Sequence, residues 1–152
     1  MGFSAFASAD VAPADDSGKV IVQKMIVSVE GRPDLEFDLT EGRHKLQDRQ
    51  LLFKEGAEFR VKLIFNVQNE IASGLKYHHV MSRKGITVDK QSYMVGSYAP
   101  KRESHAYVSP VDEAPKGMLS RGHYKIKSRL IDDDKNVHLV WEWSMDIQKN
   151  WK

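Results

Sequence analysis

The sequence predicts an all-β fold in which antiparallel sheets pack as a sandwich. Three observations carry that reading. Runs rich in Val, Ile and aromatic residues recur between turn residues at nearly regular spacing from Lys19 onward. Within those runs apolar and polar residues alternate, which is the period of a strand with one buried face. No stretch keeps a helical period over three turns.

The chain has 152 residues, 41% of them hydrophobic, enough for one domain with a single core and too few for two ordinary ones. Residues 1–18 are small, acidic or flexible and are expected to form a disordered tail, with the folded domain at 19–152. Gly2 suggests myristoylation, but the pattern asks for Ser or Thr where this chain has Phe6.

Lys19 to Val29 is the first strand-like run, and Gly31-Arg32-Pro33-Asp34 turns it into Leu35 to Leu39. After a turn at Lys54-Glu55-Gly56, Phe59, Val61, Leu63, Phe65 and Val67 alternate with Arg60, Lys62, Ile64, Asn66 and Gln68. Further strands are expected at Leu75 to Arg83, after Lys84-Gly85 at Ile86 to Lys90, and at His105 to Ser109. At His123 to Ile131, Tyr124, Ile126, Ser128 and Leu130 share a face opposite Lys125, Lys127 and Arg129. The last run, His138 to Ile147, puts Leu139, Trp141, Trp143, Met145 and Ile147 on one face and Val140, Glu142, Ser144 and Asp146 on the other. Many short strands without helices suit an immunoglobulin-like sandwich, with a closed barrel as the alternative.

Composition removes several function classes. There are no cysteines, which excludes disulfides, thiol catalysis and thiolate zinc sites. The net charge is +2 from 23 basic and 21 acidic side chains mixed along the chain, so no basic field selects nucleic acid. No apolar run approaches the length that spans a bilayer, and the start lacks a secretory pattern, so a soluble, cytoplasmic protein is expected.

Motifs for catalysis are absent: no phosphate loop, nucleophile elbow or His-Glu-x-x-His occurs, and nothing supports an enzyme or a cofactor. His78 and His79 are adjacent, so on a strand they point to opposite faces and cannot chelate one ion together; no metal site is expected. Asp132-Asp133-Asp134 lacks the spaced oxygens and glycine of a calcium loop. Followed by Lys135-Asn136, it reads as a polar hairpin turn, solvated or offered to a cationic partner.

The two tryptophans of the last strand either fill a core or line a hole. The inward inventory is expected to be soft: Met25, Ile26, Phe59, Phe65, Ile71, Met118, Leu119, Ile126, Trp141, Trp143 and Met145. Side chains of this kind separate to admit an elongated apolar ligand.

Several blocks in fixed order carry a resemblance: Ser73-Gly74-Leu75-Lys76-Tyr77, Arg83-Lys84-Gly85 with Val88-Asp89-Lys90, Tyr93 to Tyr98, Glu113 to Gly122, Asp132 to Lys135, and Trp141-Glu142-Trp143. From about Lys19 to Lys152 the chain resembles the Rho GDP-dissociation inhibitors. The resemblance implies an immunoglobulin-like sandwich whose sheets part around the geranylgeranyl group of a Rho-type GTPase (Rho, Rac or Cdc42). It implies a monomer that keeps such GTPases GDP-bound, lifts them off membranes and carries them through the cytosol. The prenyl pocket implied comprises Ile26, Phe59, Ile71, Leu119, Ile126, Trp141 and Trp143, with Phe59 replacing the tyrosine usual there. The implied GTPase contacts are Asp89, Asp112, Glu113, Asp133 and Asp134. Family members carry an acidic N-terminal arm of several dozen residues that clamps the GTPase. Only about eighteen residues precede the first strand here and none resembles that arm, so inhibition of exchange is implied less directly than prenyl binding, and poor membrane extraction is expected. The alternative is an interaction domain with a closed core and no lipid.

Overall fold

The structure, a computed structural model, describes residues 20–40 and 51–151. The tail expected at 1–18 lies outside the described residues. Ten strands follow in order: β1 (Val20–Val29), β2 (Leu35–Asp38), β3 (Leu52–Lys54), β4 (Glu58–Val67), β5 (Ala72–Arg83), β6 (Ile86–Tyr98), β7 (His105–Val108), β8 (Asp112–Glu113), β9 (Gly122–Ile131) and β10 (Val137–Gln148). A single 3-10 turn, Met118–Ser120, precedes β9 among the described residues.

The strands form two sheets. One runs β2-β1-β4-β7, with β8 also paired to β4; the other runs β3-β10-β9-β5-β6. Pairing is antiparallel except for the short parallel ladder of β3 on β10. The arrangement is the immunoglobulin-like sandwich the sequence predicts. Its core is the set of alternate residues facing inward: Phe59, Val61, Leu63, Phe65 and Val67 of β4 are all buried, as are Leu139, Trp141, Trp143, Met145 and Ile147 of β10.

Two features of the strands depart from a simple alternating reading. Strand β10 is not half-buried: Val140 and Ser144 on its outer face are buried as well, because the strand is central, flanked by β3 and β9. In β1 a register shift between Val22 and Lys24 resets the alternation, so Met25, Val27 and Val29 point inward. Ile26 therefore stands half-buried on the outer face, paired with Glu36 and Lys62. Three further residues expected inside are outside. Ile71 is 58% exposed just before β5, and Met118 and Leu119 are 73% and 90% exposed on the 3-10 turn.

The Asp132 to Asn136 turn joins β9 to β10 as expected, but Asp132 is not solvated. It is buried, and its Oδ1 accepts the backbone N–H groups of Asp134 and Asn136, both at 2.9 Å. Its Oδ2 lies 3.2 Å from Asn136 Nδ2 and 3.1 Å from His138 Nε2. Burial works to raise the Asp132 pKa, yet the Asn136 hydrogen bonds, with His138, hold it below the usual carboxylate value.

Candidate functional site

At one end of the sandwich the last residues of β5 and the first of β6, β8 and β9 surround a cleft of about 400 Å³. Met81 and Tyr124 supply its apolar floor, Val88 an apolar wall, and Asp89, Asp112 and Glu113 its carboxylates. Cross-strand register shows what lies behind the floor. Met81 of β5 is paired with Ile126 of β9, and Ile126 with Trp143 of β10, so one apolar row runs from the cleft into the interior. The exposed Leu119 adjoins the mouth. Arg83, itself lining the cleft, donates to the Leu119 carbonyl at 2.6 Å and to the Arg121 carbonyl, and lies 5.3 Å over the Tyr124 ring. That guanidinium pins the backbone of the turn and leaves the Met118 and Leu119 side chains outside.

The segment carrying Asp112 and Glu113 is held by the turn between β3 and β4. Ala114 N–H donates to Ala57 O at 2.9 Å, and Gly56 N–H to Pro115 O at 3.1 Å. Glu55 accepts from Gly117 N–H at 2.6 Å and from Arg121 Nη2 at 2.8 Å. The Gly117 N–H and then Arg121 lower the Glu55 pKa. These bonds fix Asp112 opposite Phe59 in the β4–β8 ladder.

Deeper in, a polar chain crosses the core. Trp143 Nε1 donates to Ser128 Oγ at 3.0 Å, Ser128 Oγ and Tyr77 Oη share a bond of 2.8 Å, and His79 Nδ1 lies 3.4 Å from Tyr77 Oη. All four side chains are buried, and burial keeps the Tyr77 phenol protonated. His79 faces inward and His78 outward, as adjacent strand residues must. Among the described residues His79 Nε2 has no hydrogen-bond partner; Asp112 Oδ2 lies 3.8 Å away. Burial depresses the His79 pKa, while Asp112 and Asp89 pull it upward and do not overcome the burial.

The residues implied by the sequence resemblance thus fall into separate groups. Phe59, Ile126, Trp141 and Trp143 are together between the sheets. Phe37 packs on Trp143 at 6.3 Å and Tyr77 stacks on Trp141 at 6.1 Å, while Trp141 Nε1 donates to Met25 Sδ at 3.3 Å. Leu119 lies at the cleft mouth, whereas Ile26 and Ile71 stand apart from it. Asp89, Asp112 and Glu113 share the cleft. Asp133 does not join them. Its N–H bonds Ser73 O, and Asp89 is paired with Met81, so the β5 register puts Asp133 and Asp134 roughly 25 Å away along the sheet. Sequence reading missed Met81, Arg83, Val88 and Tyr124. Of these only Arg83 and Val88 fell within the quoted blocks.

The description "RHO protein GDP dissociation inhibitor" belongs to the family model that matches residues 3–150. The chain belongs to the Rho GDP-dissociation inhibitor family. It is 52% identical over 118 residues to the human Rho GDP-dissociation inhibitor 1, covering 78% of this chain and 58% of that protein. It is 45% identical over 132 residues to a probable rho GDP-dissociation inhibitor of Caenorhabditis elegans, covering 86% and 69%. To the Rho GDP-dissociation inhibitor of Schizosaccharomyces pombe it is 40% identical over 142 residues, covering 92% and 69%. Those alignments reach from 58% to 69% of the length of these Rho GDP-dissociation inhibitors. No helix among the described residues is long and apolar enough to cross a membrane.

Proposed function

We propose that this chain takes up the prenyl group of a Rho-family GTPase through the cleft and between the sheets behind it, and so holds a GDP-bound GTPase off the membrane in the cytoplasm. One observation carries the reading: the apolar row Met81, Ile126, Trp143 starts at a cleft whose rim holds Asp89, Asp112 and Glu113. A prenylated, basic protein tail has the same two-part chemistry, a lipid followed back along the chain by cations. Leu119 is placed to cover the lipid at the mouth, and Phe59, Ile126, Trp141 and Trp143 to enclose it. Ile26 and Ile71, on other faces, have no part in this path. Asp133 and Asp134, at the far end of the sheet, are free to meet the body of the GTPase.

Burying about twenty prenyl carbons at about 0.8 kcal/mol per methylene yields on the order of 10 kcal/mol in any apolar site, and the bilayer supplies nearly the same. Transfer of the lipid is then close to neutral, and the carboxylate rim decides the direction. The sheets must part for the lipid to enter, because Trp141 and Trp143 are 1% and 2% exposed and packed against Met25, Tyr77 and Phe37. That close packing is what favours the second reading, an interaction sandwich whose core stays shut.

Titration with a geranylgeranylated basic peptide distinguishes the two. Under the first, binding saturates, the Trp143 emission changes, the change is lost in W143F, and D112N or raised salt weakens binding. Absence of both saturable binding and an emission change refutes the lipid reading and leaves the closed core.

A further inference from the structure

The geometry points to a divalent transition-metal site formed by His79, Asp89 and Asp112 at the inner side of the cleft. One ligand atom from each residue lies within 4.8 Å of the other two. The three come from three strands, β5, β6 and β8, and so are brought together by the fold alone. The cluster is more than a pair of surface acids, because a buried imidazole nitrogen is aimed into it. His79 is 3% exposed, its Nε2 has no hydrogen-bond partner among the described residues, and Asp112 Oδ2 faces it at 3.8 Å, beyond hydrogen-bond reach.

The surroundings suit metal ligation. Metal-binding histidines usually commit their second ring nitrogen to a neighbour that fixes the ring, and here Nδ1 lies 3.4 Å from Tyr77 Oη, itself held by Ser128. With Nδ1–H directed at that oxygen, Nε2 presents its lone pair to the carboxylates. Asp112 Oδ1 is taken by the Glu113 N–H at 2.8 Å, which leaves Oδ2 to the cluster. Among the described residues Asp89 accepts only long bonds, 3.3 Å at each oxygen, from Gln91 Nε2. Arg83, the cation that also lines the cleft, is directed into the carbonyls of Leu119 and Arg121.

One neutral imidazole and two carboxylates carry the charge a dication needs. The imidazole selects zinc-like ions over calcium or magnesium, which prefer oxygen alone. With metal–ligand bonds of about 2.0–2.1 Å, tetrahedral ligands sit roughly 3.4 Å apart. The two half-buried carboxylates must therefore draw in by about 1 Å, and water supplies the fourth ligand. Asp89 and Asp112 also belong to the acidic rim proposed to meet a basic tail. If that reading holds, zinc and the tail compete; zinc binding itself does not depend on it.

Calorimetric titration of the chelator-treated full chain with zinc tests the site. One ion per chain is expected, with binding abolished in H79Q, weakened at least tenfold in D112N, and unchanged in H123Q, whose His123–Asp146 pair lies on the surface. Near-UV circular dichroism checks that H79Q folds; should it not, the D89N/D112N double variant carries the test with the same expected loss. Absence of saturable binding to the wild-type chain overturns the site, as does equal affinity in the folded variants. Measured alongside, prenyl-peptide binding separates a failed metal site from a failed lipid reading.

Discussion

Ser128→Ala removes a single oxygen on which two buried aromatic side chains depend. Ser128 is fully buried; its Oγ accepts the Trp143 indole N–H at 3.0 Å and bonds the Tyr77 hydroxyl at 2.8 Å. In the alanine variant the indole donor has no replacement, whereas Tyr77 keeps His79 Nδ1 at 3.4 Å. One orphaned donor costs about 1–3 kcal/mol, and the weakened hydroxyl adds to it, so the fold should lose about 2–4 kcal/mol. For a chain of this size that corresponds to a fall of roughly 5–15 °C in Tm. Urea unfolding followed by tryptophan fluorescence gives the free energy. The double-mutant cycle with W143F isolates the shared bond: phenylalanine has no donor to strand, so S128A should cost about 1–2 kcal/mol less in that background. A loss below about 0.5 kcal/mol for S128A alone, or strict additivity in the cycle, would refute the claim that this oxygen secures both rings.

Asp132→Asn should destabilise the fold by about 1–3 kcal/mol, since the new amide sets donors against Asn136 Nδ2 and His138 Nε2. Because the folded pKa of Asp132 is depressed, its contribution is complete above the ordinary carboxylate value and disappears as the pH falls through the lower, folded one. Acid unfolding of D132N should accordingly be flatter below about pH 4 than that of the parent, and identical slopes would contradict this. Gly74→Ala should cost about 1–2 kcal/mol by thermal unfolding: φ is +61°, and a Cβ there collides with the Asp133 carboxylate, so the acid must swing away. Arg83→Ala frees the carbonyls of Leu119 and Arg121, and hydrogen exchange at residues 118–121 should rise at least several-fold while the β10 amides stay protected.

The sandwich was largely legible because its long strands alternate cleanly. The inward row of β4 and the tryptophan row of β10 could be read residue by residue. Strands β3 and β8 could not, being three and two residues long, too short for any period to show. Strand β6 continues past Lys90 to Tyr98, but it is an edge strand on which only Val95 is buried, and apolar periodicity has nothing to mark there. Met25 and Ile26 are both expected inside, yet neighbours on a strand face opposite ways, and the shift after Val22 turns Met25 inward and leaves Ile26 outside. Ile71, Met118 and Leu119 are apolar and so point to an interior, but the pattern holds no sign of the bonds to Arg83 that hold the 118–121 backbone at the surface. The meeting of His79 with Asp89 and Asp112 is a long-range consequence of register among three strands. Sequence adjacency pairs His79 with His78 alone, which the strand turns to the opposite face.

Among the described residues the thirteen-residue strand β6 has no partner on its outer edge, with Ile86, Val88 and Met94 exposed along it. A straight ribbon of that length would be a template for another chain's backbone. Its ladder with β5 is broken at three places, and Gly96 adopts a φ of +122°, so the rim is crooked and spaces its donors unevenly. Straightening that rim, for instance by removing the irregularity near Gly96, would leave an edge inclined to template polymerisation.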